Sequence, residues 1–233
     1  MMRLRRFFAM GLWVLVVVLP GYAACATKYP PLSAYLMPRD AEISLARSAA
    51  PPGVAVHATV KVLTESGYQT VVEGTNDFIC VVERGFSGPT FTPVNFRDFV
   101  YDATLRAPIC FNPVAARTVY VYQELRTSLA MQGKTPDEIT TAVAAAYATG
   151  KLPKMETVGF AYMLSADMYL GARFGHYHPH IMVYAPYYTN DMLGGNSPDS
   201  MQMMISDDAG TPFSVVVIPV SESLANHAAV TTH

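Results

Sequence analysis

Strand-type sequence flanks a central pair of helical signals, and that order restricts the architecture of this chain more than any other feature. Val54 to Leu63, Tyr68 to Glu73 and Phe78 to Glu83 are rich in β-branched and aromatic residues. Glu65-Ser66-Gly67 and Gly74-Thr75-Asn76-Asp77 separate these runs with turn compositions. Links this short favour an antiparallel meander over crossover units. Asn112-Pro113 then supplies a cap and a proline at the first helical position, where its missing N–H costs nothing. Val114, Tyr122, Leu125 and Leu129 follow on one side as far as Met131. Thr135-Pro136-Asp137-Glu138 opens a second helix with a capping box, and Gly150 ends it. Strands return over Val158–Leu164, Pro179–Ala185, Met201–Ser206 and Phe213–Val220. Runs of strands kept apart from helices predict an α+β fold, a mainly antiparallel sheet packed by a helical hairpin. A short N-terminal helix from Ala41 to about Ala50, capped by Asp40 and stopped by Pro51-Pro52-Gly53, completes the expectation.

Residues 85–111 are broken by Gly85, Gly88, Pro89, Pro93 and Pro108 and carry Phe86, Phe91, Phe96, Phe99, Tyr101 and Phe111. They read as an irregular, ring-rich cover packed on the sheet, or as one wall of a ligand groove.

The first 26 residues have the three-part layout of an export signal. Arg3, Arg5 and Arg6 precede the apolar run Gly11–Leu19, and Pro20-Gly21 precedes small residues. That run is short of the about 20 apolar residues a spanning helix needs, which favours a cleaved signal over a retained anchor. Ala24-Cys25-Ala26 fits ordinary cleavage, whereas Tyr22-Ala23-Ala24-Cys25 offers Cys25 as a lipidation site. The chain therefore divides into a signal (1–26), an extended arm (27–38) and one domain (39–233). It is expected in the periplasm or secreted, with the alternative of a lipid anchor. Export leaves Cys80 and Cys110 as an even pair in an oxidising compartment, the usual setting of a disulfide; a catalytic thiol is the alternative. Phe78, Cys80 and Val82 share one face of their strand, an apolar setting for such a bond.

Charge argues against nucleic acid. The chain has 16 basic and 18 acidic residues; without the three leader arginines, 13 face 18, a net of −5. A phosphate-tracking surface would need a Lys/Arg stripe, and the sequence has none.

Three segments resemble an uncharacterised family of exported bacterial proteins: Glu42 to Pro51, Gly74 to Arg84 and His178 to Tyr184, together with Ile109-Cys110-Phe111-Asn112-Pro113. The resemblance runs over most of the mature chain. It implies a periplasmic or cell-surface location and brings no activity, ligand or catalytic residue.

His176-Tyr177-His178-Pro179-His180 is the one dense group of transition-metal ligands. On an extended segment, residues two apart point the same way at roughly 6.6 Å, so neighbouring pairs could share an ion; all three would need a bend at Gly175 or Pro179. Neutral imidazoles suit zinc or another transition metal, and further ligands could come from His57, Asp167, Asp191, Asp207 or Asp208. The competing expectation is that these histidines hydrogen-bond locally at a strand start. Ser165-Ala166-Asp167 lacks the Gly-x-Ser-x-Gly elbow and reads as a turn. Tyr177, Tyr184, Tyr187 and Tyr188, with Met182 and Met192, suit either a packed face or a cleft for a small molecule or glycan. Met201, Met203 and Met204 form no clean thioether face for copper. Two functions follow as expectations. One is a non-enzymatic envelope protein that binds a small molecule, glycan or envelope protein through loops 85–110 and 186–200. The other is a metal-dependent hydrolase built on His176, His178 and His180.

Overall fold

The computed structural model describes residues 28–87, 94–195 and 204–229. Residues 1–26, expected as an export signal and including Cys25, lie outside them, as do Phe91 and residues 196–203 with Met201 and Met203.

The described residues build one eight-stranded, mostly antiparallel sheet with helices, the α+β class expected. Its strands are β1 (Thr59–Thr64), β2 (Gly67–Val72), β3 (Ile79–Glu83), β4 (Ala107–Phe111), β5 (Gly159–Met163), β6 (His180–Tyr184), β7 (Met204–Asp207) and β8 (Val215–Pro219). They lie in the order β2-β1-β3-β4-β5-β6-β8-β7.

The first three strands are not a meander. β2 folds back on β1 as a hairpin and becomes the sheet edge, while β3 runs parallel to β1 on its other side. The crossing is compact. The Thr59 N–H donates to the Phe78 carbonyl, the Thr75 N–H donates to the His57 carbonyl, and a Cβ on Gly74 would fall 2.2 Å from the Thr59 nitrogen. Only glycine lets the chain pass that close.

The stretch expected to be irregular contains a central strand. β4 is buried along its whole length and pairs with β3 throughout, so Cys110 stands directly opposite Cys80. The two are disulfide-bonded with Cα atoms 4.0 Å apart, and the bond joins neighbouring strands, not a loop to the sheet. Pro108 is tolerated because β5 reaches β4 only at Cys110 and Phe111. The missing N–H therefore leaves no gap in that ladder.

The two sheet faces carry different cores. On one, Val81, Ile109, Phe111, Ala161 and Met163 meet Tyr120, Ile139 and Val143 from the helical hairpin. That hairpin comprises α3 (Pro113–Thr118) and α4 (Tyr120–Met131), which follow one another through Val119, and then α5 (Pro136–Ala148). Its caps are those expected: Asn112 accepts from the Ala115 N–H, and Thr135 and Glu138 form a capping box. On the opposite face, Val60, Cys80, Val82 and Cys110 pack against Leu45, Ala46, Ala49 and Ala50. The last four belong to α1 (Arg39–Arg47) and the turn that leads into the short α2 (Pro52–Ala55). Pro38 occupies the cap position of α1, and Asp40 lies within the first turn instead of capping it.

Glu42 of α1 is fully buried and paired with the equally buried Arg84 at 2.8 Å. The Leu63 N–H donates to Glu42, and Arg84 donates to the carbonyls of Tyr35 and Val82. Near the end of the chain, Asn226 donates to the carbonyls of Ser48 and Ala50, while Ser44 donates to the Ala229 carbonyl. Residues 226–229 thus fasten α1 to the sheet.

Candidate functional site

The three histidines sit in three different environments. β6 begins at His180 and alternation carries its ring to the hairpin face, the side of Met182 and Tyr184. There it is 3 % exposed and donates from Nδ1 to the His178 carbonyl at 2.7 Å. Burial pushes its pKa down to about 4, so the ring is neutral at ordinary pH. His178 precedes the strand, is exposed and bonds Glu222 at 2.7 Å. His176 is exposed beside Tyr169. Among the described residues, no three His, Cys, Asp or Glu side chains come together to hold a metal ion. The expected zinc-type set of His176, His178 and His180 is therefore not assembled, because the strand start buries one ring and leaves the others in solvent.

The further ligand candidates are equally scattered. Asp167 bonds the Ala228 N–H and lies 3.5 Å from His227; His57 and Asp191 are exposed; Asp208 is buried under α4. The Asp207 side chain lies outside the described atoms. Ser165 is fully buried, its hydroxyl 2.7 Å from that of Ser48, and accepts from the Asp167 N–H. That is a turn, as the missing elbow indicated. Both paired cysteines are buried, which excludes a free catalytic thiol at Cys80 or Cys110.

The open feature lies at the other end of the sheet. Phe160 pairs with Val183 and Val183 with Val216, while Tyr162 pairs with Ile181 and Ile181 with Ile218. Alternation puts all six on the face that carries the disulfide. Near β3 and β4 that face is covered by α1, but Phe160, Tyr162, Ile181, Val183 and Ile218 are only half-buried. A groove of about 520 Å³ opens there. Its floor is Val183, Val216 and Ile218; its walls are Met155 to Val158 on one side and Pro186, Tyr188 and Leu193 on the other. Glu156 is the one charged residue in the lining. Val158 is 67 % exposed and Tyr188 46 %, with Met192 exposed nearby in sequence.

The tyrosine wall is held by hydrogen bonds. Tyr187 has φ of 68°, a left-handed conformation that costs a β-carbon residue on the order of 1–3 kcal/mol. Its N–H donates to the Thr211 carbonyl at 2.7 Å. The Tyr188 carbonyl accepts from the Gly210 N–H at 2.8 Å and from the Ser214 hydroxyl at 3.1 Å. The turn at Tyr187 breaks the alternation of β6, so Tyr188 lines the groove while Tyr187 meets Tyr147 of α5. Such an arrangement can hold an apolar molecule against an aliphatic floor, with a ring and its hydroxyl at the rim.

Of the two expected binding loops, 186–200 contributes Pro186, Tyr188 and Leu193 to this groove. In the loop at 85–110, Phe86 and Phe99 are buried as packing. The aliphatic floor escaped sequence reading because its residues come from strands far apart in the chain. Val158, which borders it, is seen to be exposed only in the folded chain, so no local sequence signal marked the groove. No family model, curated protein or solved structure matches this chain.

Proposed function

We propose that this is an exported, non-enzymatic envelope protein that binds an apolar ligand in the groove between the segment before β5 and the loop after β6. The observation that carries the reading is the groove itself, about 520 Å³ with an aliphatic floor and the exposed Val158 and Tyr188 on its walls. Large apolar groups left in water beside a concave apolar floor mark an interaction site. Export rests on the leader pattern and agrees with a buried disulfide between adjacent strands. The uncharacterised exported family that the chain resembles is consistent with the same location.

The test uses residues 27–233 and the fluorescent probe 8-anilinonaphthalene-1-sulfonate. The folded protein should bind it saturably, and Val158→Asp and Tyr188→Ala should each weaken binding at least fivefold with an unchanged thermal midpoint. A native protein that does not bind the probe, or binds it equally well in both variants, overturns the reading. Recovery of the chain from the periplasm or medium, starting near Ala26 or at an acylated Cys25, tests the location.

A further inference from the structure

α4 turns polar side chains inward: Gln123, Arg126 and Thr127 are all buried. Arg126 is the unexpected one. Its guanidinium is 6 % exposed and lies 3.9 Å from the Asp208 carboxylate, itself 3 % exposed. It also donates to Gln123 and stacks over the Phe213 ring at 5.7 Å. A buried cation would be expected where it does something that leucine could not.

What it holds is the turn between β7 and β8. Asp208 has φ of 53°, a conformation that Asp tolerates better than most residues. Its carbonyl accepts from the Thr211 N–H, the Thr211 hydroxyl and the Ser214 hydroxyl. The same turn, through Thr211, Gly210 and Ser214, grips the backbone of Tyr187 and Tyr188. Helix, turn and groove wall therefore form a continuous chain of contacts.

We infer that Arg126 and Asp208 are a positioning pair: from beneath the sheet, their contact fixes the 208–214 turn and through it the Tyr188 wall of the groove. The inference rests on the binding reading above, since it assigns the wall a role in binding. Neither residue touches the ligand space. Their effect on binding is transmitted through backbone hydrogen bonds, and removing the pair should loosen one wall while the aliphatic floor stays in place.

Amide hydrogen exchange on residues 27–233 reads the wall without any ligand. Asp208→Asn should speed exchange at Tyr187 and Gly210 at least tenfold, with Val81 and Ile109 unchanged. Because that variant strands a buried guanidinium and could fail to fold, Arg126→Met/Asp208→Asn removes both charges and should show the same local increase. In the double variant, affinity for 8-anilinonaphthalene-1-sulfonate should fall at least fivefold while the thermal midpoint moves little. Unchanged exchange at Tyr187 and Gly210 in the double variant overturns the inference, as does an equal rise throughout β3 and β4, the sign of a merely structural pair. Local loosening with unchanged probe affinity also overturns it while leaving the binding reading intact. A wild-type protein that binds no probe removes the binding reading, and with it the assigned role of the wall.

Discussion

The two ends of the sheet are finished in opposite ways. At β1, β3 and β4, both faces are covered, a disulfide joins adjacent strands, and a fully buried Glu42–Arg84 pair ties α1 to the end of β3. At β6 and β8, the hairpin face is covered, but the opposite face leaves Ile181, Val183 and Ile218 half in water. The closed end has the groups whose loss should cost stability. The open end has groups whose loss should cost little stability and much binding. This division lets one chain keep a rigid frame while offering an apolar surface.

The sharpest way to break the contrast is at the buried ion pair. Glu42→Ala should destabilise by roughly 3–5 kcal/mol, since it strands Arg84 in the core. Denaturant unfolding checks this, and a loss under 1 kcal/mol would show that the closed end does not depend on the pair. Replacing both Cys80 and Cys110 with alanine should cost roughly 3–4 kcal/mol, from the loop-closure entropy of a 30-residue separation. The variant's unfolding midpoint should match that of the reduced wild-type protein. Agreement within experimental scatter confirms that the bond itself, and not side-chain packing, is responsible.

A third effect belongs to His180. Its folded pKa, about 4, lies below the ordinary 6.5, so between those values the unfolded chain takes up a proton that the folded chain refuses. The folded state keeps its full advantage above pH 6.5, and stability falls as the pH drops toward 4, by about 3 kcal/mol for a shift of this size. His180→Gln should flatten that part of the stability–pH curve. A curve of the same slope in both proteins would assign the acid sensitivity to other groups. The smallest stability change is expected at the open end. Val158→Ser, at a site 67 % exposed, should alter stability by no more than about 0.5 kcal/mol and still weaken probe binding. Differential scanning calorimetry beside a fluorescence titration would separate the two.

How much of this could be read from the chain depended on how local the signals were. The helical hairpin was legible because its caps are spelled out by neighbouring residues, Asn112-Pro113 and Thr135 to Glu138. The final strands were legible from β-branched runs bounded by turns. The Cys80–Cys110 bond followed from parity and compartment. β4 was missed because five residues containing Pro108 make a poor strand in isolation, and only pairing with β3 makes them one. The parallel placement of β3 was missed because a short link gives no sign that the chain passes behind its own hairpin. The histidine group looked like a ligand set because spacing does not reveal where a strand begins; that boundary, at His180, divides the three rings. The polar face of α4 was overlooked for a related reason. Its aliphatic residues suggested the buried side, whereas Arg126 meets its carboxylate inside only once the turn at Asp208 arrives from more than eighty residues away.

Residues 226–229 bear on how such a chain matures. They bond Ser44, Ser48, Ala50 and Asp167, all of which are synthesised earlier. A nascent polypeptide that has emerged only as far as β8 has made every strand but lacks the latch that secures its first helix. The seating of the first helix is thus completed only by residues made after the last strand.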